Sequence, residues 1–382
     1  MRGCDEIDQT VDESSFLRAS HRFVQEQIAP FANQFALEAK LPLDLIIKIA
    51  SQDMLGTLIN KEYGGLGLSY TSYGKLTRMV GKACSSIRSL LTVHDMVAEA
   101  IQGFGNESQK RAWLPQLAAG KIIAAFALTE PDLGSSIDKI QTILIKKSDY
   151  YLRGNKVWVS FGQVADVLLV FAKLNGEHPV AILVPTDSPN ISIKPIQNAL
   201  GKSASMLAEI CFDDVLVKEE QFIGSPGIGL SFVATRSLTL GRYSVSCGCL
   251  GIIDACISLV QKKVQRSRPD GSRLIDFQLI SAMISDMLAN RKIVSLLCKN
   301  AGTKMEQNFL DALEDVMIAK YVSARLASQT ANDTLQIYGA EGYHENSPIR
   351  RFIHDAKVCE LIEGSNEIMR LLIGKSFLGN YE

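Results

Sequence analysis

Apolar positions along the chain change period twice. Up to about residue 118 they recur at helical spacing. Val24, Ile28, Phe31 and Phe35 step by four, three and four, which predicts one face of a helix kinked at Pro30. A glycine-rich break at Tyr63-Gly-Gly-Leu-Gly precedes a helix from about Thr71 to Gly81. A segment through His94 follows, ended by Phe104-Gly105. From about residue 122 short β-type runs take over: Ile122–Leu128, Tyr151–Val159 around a Gly154-Asn155 turn, and Val167–Ala172. Ile191, Ile196, Ile210, Phe212 and Val215 continue the theme between Pro, Asp and Asn. After Gly224–Gly229 long helical periods return, with Leu279, Met283, Met287, Val294 and Leu297 at helix spacing. Gly241, Gly248 and Gly251 cost helix propensity within about Leu230–Gln265, so they predict close approach of another helix or a ligand.

The order helix–strand–helix, without βαβ alternation, predicts an α+β multidomain chain and argues against a doubly wound nucleotide fold. The expected domains are helical over residues 1–118, β over 119–226, as a small barrel, and helical over 227–382. A length of 382 residues exceeds what one core fills, in keeping with that division. Apolar residues make up 47% and charged residues 21%, an ordinary globular balance. With 40 basic against 41 acidic side chains, nothing attracts the chain globally to nucleic acid or an anionic membrane. The opening MRGCDEIDQT has no signal or transit character. No apolar run is expected to reach the roughly 18–20 residues of a membrane span. Eight cysteines lack CxxC spacing, and Cys247-Gly-Cys249 is too tight for a zinc knuckle. No His, Cys and carboxylate set has metal spacing. Buried thiols in a reducing cytoplasm are the expectation.

Several motifs are weak singly and specific in order. Phe126-Ala-Leu-Thr-Glu-Pro-Asp-Leu-Gly-Ser135 is followed by Trp158-Val-Ser160 and Ala165-Asp-Val. Upstream stand Glu62-Tyr-Gly-Gly-Leu-Gly-Leu68, Phe104-Gly-Asn-Glu-Ser-Gln-Lys110 and Leu114-Pro-Gln-Leu-Ala-Ala-Gly120. Downstream stand Gln336-Ile-Tyr-Gly339, Asp355-Ala-Lys357 and Ile362-Glu-Gly-Ser-Asn-Glu-Ile368. From about residue 15 to 378 the chain thereby resembles the acyl-CoA dehydrogenase family. The resemblance implies an N-terminal helical domain, a central β-barrel-like domain and a C-terminal four-helix bundle. It also implies FAD, a homo-dimer or tetramer, and a flavin site completed by the neighbouring subunit. Within the family, the likeness extends to dehydrogenases of polyketide pathways that make hydroxymalonyl or methoxymalonyl extender units on an acyl carrier protein. Ser86-Ile-Arg-Ser-Leu-Leu-Thr92, Gly241–Gly251 and Asp355–Ser365 carry that second likeness.

Family chemistry takes a proton from the carbon beside a thioester carbonyl and passes a hydride from the next carbon to flavin N5. The proton step needs a carboxylate whose pKa is raised by burial. By resemblance that base is Glu363, with Ser365 in place of the family's Thr; without context it reads as a helix-terminal acid. Gly364 leaves room beside the carboxylate. Some family members carry the base just before the helix arginine, but here Gly241 precedes Arg242, which closes that option. Arg242 either tunes the charge at the site or serves as a structural ion-pair partner. The implied enolate donors are the Glu363 N–H and a flavin ribityl hydroxyl.

The same resemblance assigns Phe126, Leu128 and Thr129 to the isoalloxazine edge and Gly134 and Ser135 to the phosphates. Trp158 would stack near the ring, and Ser160 would bond near N5. Arg266 is the candidate for the pyrophosphate of the adjacent subunit's FAD. Gln278, Gln336 and Gly339 share that site, with Ser365 and Glu367 near the adenosine. In strict register the arginine position is Ser267, an aromatic is lost, and Pro269 and Asp270 alter the loop, so weaker FAD binding is expected. His354 replaces an arginine, which weakens a buried ion pair, and is expected to be packed. His94 is expected to be packed or substrate-lining, neither base nor metal ligand. The expected partners are an acyl thioester and an electron-accepting flavoprotein or other acceptor. An ordinary fatty or branched-chain acyl-CoA dehydrogenase, or an assembly protein holding FAD without turnover, are the alternatives.

Overall fold

The computed structural model describes residues 12–344 and 346–379; the polar opening segment, residues 1–10, lies outside it. Among the described residues, six α-helices precede the first strand: α1 (Glu13–Phe23), α2 (Ala32–Glu38), α3 (Leu43–Ser51), α4 (Tyr70–Ala83), α5 (Ser85–Phe104) and α6 (Glu107–Ala118). The helix expected to kink at Pro30 is broken there. Residues Val24–Ile28 widen into a π-type turn, and Pro30, lacking an N–H, cannot continue it. Val24, Ile28 and Phe35 reach the core as expected. Phe31 does not: it falls at the break, caps α2, and is 46% exposed.

The central strands are β1 (Ala124–Ala127), β2 (Ile143–Lys146), β3 (Tyr150–Val159), β4 (Val167–Leu174), β5 (His178–Pro185), β6 (Ile191–Pro195) and β7 (Ala208–Val217). They form one mixed sheet in the order β1-β4-β2-β3-β7-β6, with β5 also paired to β4. One core gathers Leu144, Leu152, Leu168, Ile182, Ile210 and Phe212. Alternate residues of the same strands, Leu169, Phe171 and Leu183, pack instead with Val97, Ile101 and Leu114 of α5 and α6. The turn expected at Gly154-Asn155 is absent, because β3 runs straight through as a ten-residue strand. Gly154 marks a bulge against β7: its φ is 147°, and a Cβ there would stand 2.6 Å from the Thr142 hydroxyl.

The last domain comprises α7 (Thr235–Val264), α8 (Gln278–Gln307), α9 (Leu313–Tyr338), the short α10 (Ala340–Tyr343), α11 (Pro348–Leu361) and α12 (Asn366–Gly379). α7 is its axis: Val245, Cys249, Ile252 and Cys256 share a core with Val294, Ala327 and Phe352 of α8, α9 and α11. Contrary to expectation, Gly229–Val264 is long and apolar enough to cross a membrane by length and composition. Its most apolar window is 83% buried within the protein, which makes it the core helix. The α7 glycines do admit neighbours. A Cβ on Gly81 of α4 would stand 2.8 Å from the Gly248 Cα, so these two helices cross with their backbones nearly touching.

Candidate active site

Between α11 and α12 the chain reverses through two left-handed residues, Glu363 (φ 55°) and Gly364 (φ 89°). For glycine this is free; for glutamate it costs about 1–2 kcal/mol, so the surroundings must enforce it. Two cations do so. Arg242 Nε on α7 donates to the Glu363 carbonyl at 3.0 Å. Lys320 on α9, fully buried, donates to the Gly364 carbonyl at 2.6 Å, and reaches the Glu360 carbonyl and Asn366 Oδ1 at 3.4 Å. Lys320 is a site residue that the motifs do not reveal. Its readable signal is its place on the α9 stripe of Val316, Ala319, Ser323, Ala324 and Ala327, all buried.

This corner aims the Glu363 carboxylate at Gly241: a Cβ there would stand 2.6 Å from Oε2 and 2.9 Å from Met96 Sδ. The missing side chain at residue 241 thus makes the seat for the carboxylate. Gly241→Ala is expected to displace the flexible carboxylate rather than unfold α7. Proton abstraction should fall by about 10²-fold, the effect of misplacing a reacting group by about 1 Å, with an unchanged melting temperature. An unaltered rate would show that the carboxylate has another place to sit.

Burial raises the Glu363 carboxyl above its ordinary range, opposed by Arg242, Arg88, Lys202 and Lys320 in that order. All four cations therefore act on one carboxylate. Burial lowers Arg242 and brings Lys320 down to about 8. Arg242 bonds the Glu363 backbone and acts on its carboxylate through charge, so it both positions and tunes the residue. His94 is packed: it is fully buried, Nε2 lies 3.0 Å from the Leu117 carbonyl, and Nδ1 accepts from the Ala124 N–H at 3.3 Å. Burial holds it near 4, hence neutral. His354 is half-buried. The ion pair expected to weaken there is instead supplied one turn earlier, where Arg351 stands 3.8 Å from Asp355.

At the end of β1 the Val157 N–H donates to the Thr129 carbonyl at 2.9 Å, which stitches Phe126–Thr129 to the Trp158 segment. A register shift between Lys156 and Val159 and a left-handed Trp158 (φ 60°) turn the indole outward, 56% exposed. A strand that otherwise fills a core thus offers a flat aromatic face beside half-buried Phe126, Thr129 and Ser160 and buried Leu128. Gly134 and Ser135 are exposed, and a Cβ on Gly134 would meet nothing within 4 Å. Beneath this platform lies a pair not singled out from sequence. Lys156 Nζ, fully buried, donates to Glu130 Oε1 at 2.7 Å and to the Leu128 carbonyl at 3.0 Å. Glu130 also accepts from the Gln141 and Thr142 N–H groups.

The remaining candidates belong to the helical domain. Arg266 is exposed and paired with Glu341 at 2.9 Å, two residues beyond Gly339. Lys263 bonds the same carboxylate. Arg268 lies over the Phe277 ring at 5.2 Å, so an aromatic returns close to where the motif loses one. Gln278, Gln336 and Gly339 are exposed. Ser365 sits at the start of α12, its hydroxyl accepting from the Ile368 N–H at 3.4 Å, and Glu367 is exposed in the first turn.

An exposed indole on the β domain and a half-buried carboxylate in the helical domain, acted on by four cations, are what the resemblance to acyl-CoA dehydrogenases leads one to expect. Family models agree along nearly the whole chain: the acyl-CoA dehydrogenase N-terminal domain matches residues 10–121, the middle domain 125–215 and the C-terminal domain 227–378. The chain is 32% identical over 367 residues to an acyl-CoA dehydrogenase of Bacillus subtilis, covering 94% of this chain and 95% of that protein. It is 31% identical to the glutaryl-CoA dehydrogenase of Desulfococcus multivorans, with 94% of each covered. Among solved structures, FkbI, described as serving biosynthesis of the methoxymalonyl extender unit of the polyketide Fk520, superposes with a TM-score of 0.87. It shares 28% identity and covers 95% of this chain and 99% of its own. The chain belongs to the acyl-CoA dehydrogenase family, whose members are FAD-dependent oxidoreductases of acyl thioesters. The exposed Trp158 face and the open Gly134 fit the ring and phosphates of FAD, which when bound supplies the hydride acceptor.

Proposed function

We propose that the protein dehydrogenates an acyl group carried on an acyl carrier protein, in polyketide or related secondary metabolism, with Glu363 as the base. The observation that carries the chemistry is the Glu363 carboxylate, raised by burial and seated against Gly241. Raised toward working pH, it removes the α-proton. The Glu363 N–H, which pairs with no acceptor among the described residues, is offered to the thioester oxygen where enolate charge develops. Arg242 and Lys320 hold the corner so that both groups act from one residue. Phe126, Leu128, Thr129, Trp158 and Ser160 would hold the flavin ring, and Gly134 and Ser135 its phosphates. Arg266, Gln278, Gln336, Gly339, Ser365 and Glu367 would serve FAD shared with a second copy of the chain. Exposed Leu279, Leu288 and Leu296 on α8 support a homo-oligomer. Turnover then requires an electron acceptor, with an electron-transferring flavoprotein as the expected class.

The likeness to FkbI supports the carrier-protein substrate. A second reading, coenzyme A as the thiol, is favoured by the names of the curated relatives, which are acyl-CoA and glutaryl-CoA dehydrogenases. The same acyl group presented on a carrier protein and on coenzyme A, with an artificial electron acceptor, separates them. The carrier form is expected to turn over at least tenfold faster at equal concentration, a difference of about 1.4 kcal/mol in transition-state binding. Faster turnover of the coenzyme A form would reverse the assignment.

A further inference from the structure

A cavity of about 410 Å³ lies between one element of each domain, and none of the residues assigned to the flavin lines it. α2 contributes Asn33 and Leu37, the loop before β7 contributes Leu200 and Ser203, and α11 contributes Arg351 and His354. Its volume falls in the range of small-molecule sites. Its walls are braced, since Asn33 Nδ2 donates to the Asn346 carbonyl at 3.2 Å and so ties α2 to the approach to α11. The cavity stands apart from the Glu363 corner. Arg351 lies near the start of α11, which runs about 15 Å further to Leu361 before that corner begins.

One cation on this wall lacks an acceptor. The Arg351 side chain is 9% exposed, and neither Nε nor Nη1 has a hydrogen-bond partner among the described residues. Its guanidinium lies over the Phe352 ring at 4.4 Å, a contact that uses the flat face and leaves those donors unmet. Asp355 supplies charge at 3.8 Å, too far for a hydrogen bond, and already accepts from the Lys202 N–H at 2.7 Å. Burying a cation's donors without acceptors is costly, so the arrangement suits an acceptor arriving from outside. The surroundings favour an anion. The N-cap of α11, Ser347, also lines the cavity, which places it at the positive end of that helix. The half-buried His354 ring follows on the same helix, and the Ser203 hydroxyl is held only by a 3.4 Å bond to the Ala199 carbonyl. Leu37 and Leu200, both more than half exposed, give the rest of the cavity an apolar surface.

We propose that this cavity is a second ligand site, separate from the acyl thioester and the flavin, and that it takes a small organic phosphate monoester. The phosphoryl oxygens would accept from the unmet Arg351 donors as charge-assisted bonds. A phosphate suits the wall better than a carboxylate. It carries nearly two charges and three acceptor oxygens, enough for the arginine, the His354 ring and the Ser203 hydroxyl together. The apolar remainder of the ester would lie against Leu37 and Leu200. Such a ligand would touch all three domains at once and so stabilise their packing.

The test titrates FAD-loaded protein with phenyl phosphate, inorganic phosphate and phenol by calorimetry at constant ionic strength. Phenyl phosphate is expected to bind about tenfold more tightly than inorganic phosphate, because its ring meets the two leucines. Phenol alone should not bind. Phenyl phosphate should also raise the melting temperature, since it binds only the folded protein. Arg351→Met should weaken phenyl phosphate about 10- to 100-fold, the range of a hydrogen bond to a charged group. Leu200→Glu alters an exposed position that folding tolerates, and should weaken the same probe about tenfold by like-charge repulsion. If Arg351→Met fails to fold, Leu200→Glu decides alone. No binding of phenyl phosphate to the unsubstituted protein would overturn the proposal, as would unweakened binding in either variant. Inorganic phosphate binding as tightly as the ester would overturn the choice of an organic ligand. Phenol binding as tightly as its phosphate would overturn the phosphoryl contact.

Discussion

Glu363→Gln is expected to bind FAD normally and to be bleached by an acyl thioester about 10²–10⁴-fold more slowly, or worse. Glutamine keeps the shape and leaves untouched the corner that matters for folding. Arg242 and Lys320 bond the carbonyls of residues 363 and 364, not the side chain. The amide cannot take a proton, and the group nearest to Gly241 is the Glu363 carboxylate itself. A protonated thioester α-carbon beside bound flavin would then simply wait. The measurement is a single-turnover trace of flavin absorbance, with a flavin titration as control. Bleaching at the unsubstituted rate would remove Glu363 from the mechanism. Loss of FAD would mean instead that the substitution had disturbed the corner.

Lys156→Met should destabilise the protein by about 3–5 kcal/mol, because one partner of a buried ion pair would be left alone. The pair is well made: Glu130 gathers Lys156 and two backbone N–H groups. Burial raises the Glu130 carboxyl, and Lys156 and Thr142 more than offset this, so it lies below its ordinary range; burial lowers Lys156 to about 8. The same lysine holds the Leu128 carbonyl, so flavin affinity should fall with stability. The double variant Lys156→Met with Glu130→Gln should recover part of the loss, since it removes the stranded charge. Denaturant melts and a flavin-binding titration on the three variants measure both effects. No recovery in the double variant would assign the loss to packing or to the Leu128 contact.

Much of the candidate site is legible from motifs because its residues lie in short, ordered stretches. Glu363-Gly364, Trp158-Val-Ser160 and Phe126–Thr129 can each be picked out without coordinates. The residues that hold them cannot. Lys320, Lys202 and Lys156 look like ordinary surface lysines until each proves buried. Arg88 lies within a recognisable stretch, but nothing in that stretch says that one of its donors is unmet. The Gly154-Asn155 dipeptide has strong turn chemistry and is nonetheless overridden, since pairing on both edges of β3 outweighs local preference. Phe31 matches the helical period and still faces outward, because Pro30 resets the rotation of the next helix.

The order of helical and strand domains, the glycine at position 241 and the place of the proposed base were determined by the sequence itself. Period, glycine and short motifs are local properties that survive without a fold. The left-handed backbone at Glu363 and the convergence of residues 88, 202, 242, 320 and 363 were decided only by tertiary structure. The physical reason is that periodicity reports whether a side chain faces inward, not which distant side chain it meets there. Burial then turns such a meeting into chemistry, by raising one carboxyl and leaving cations unpaired.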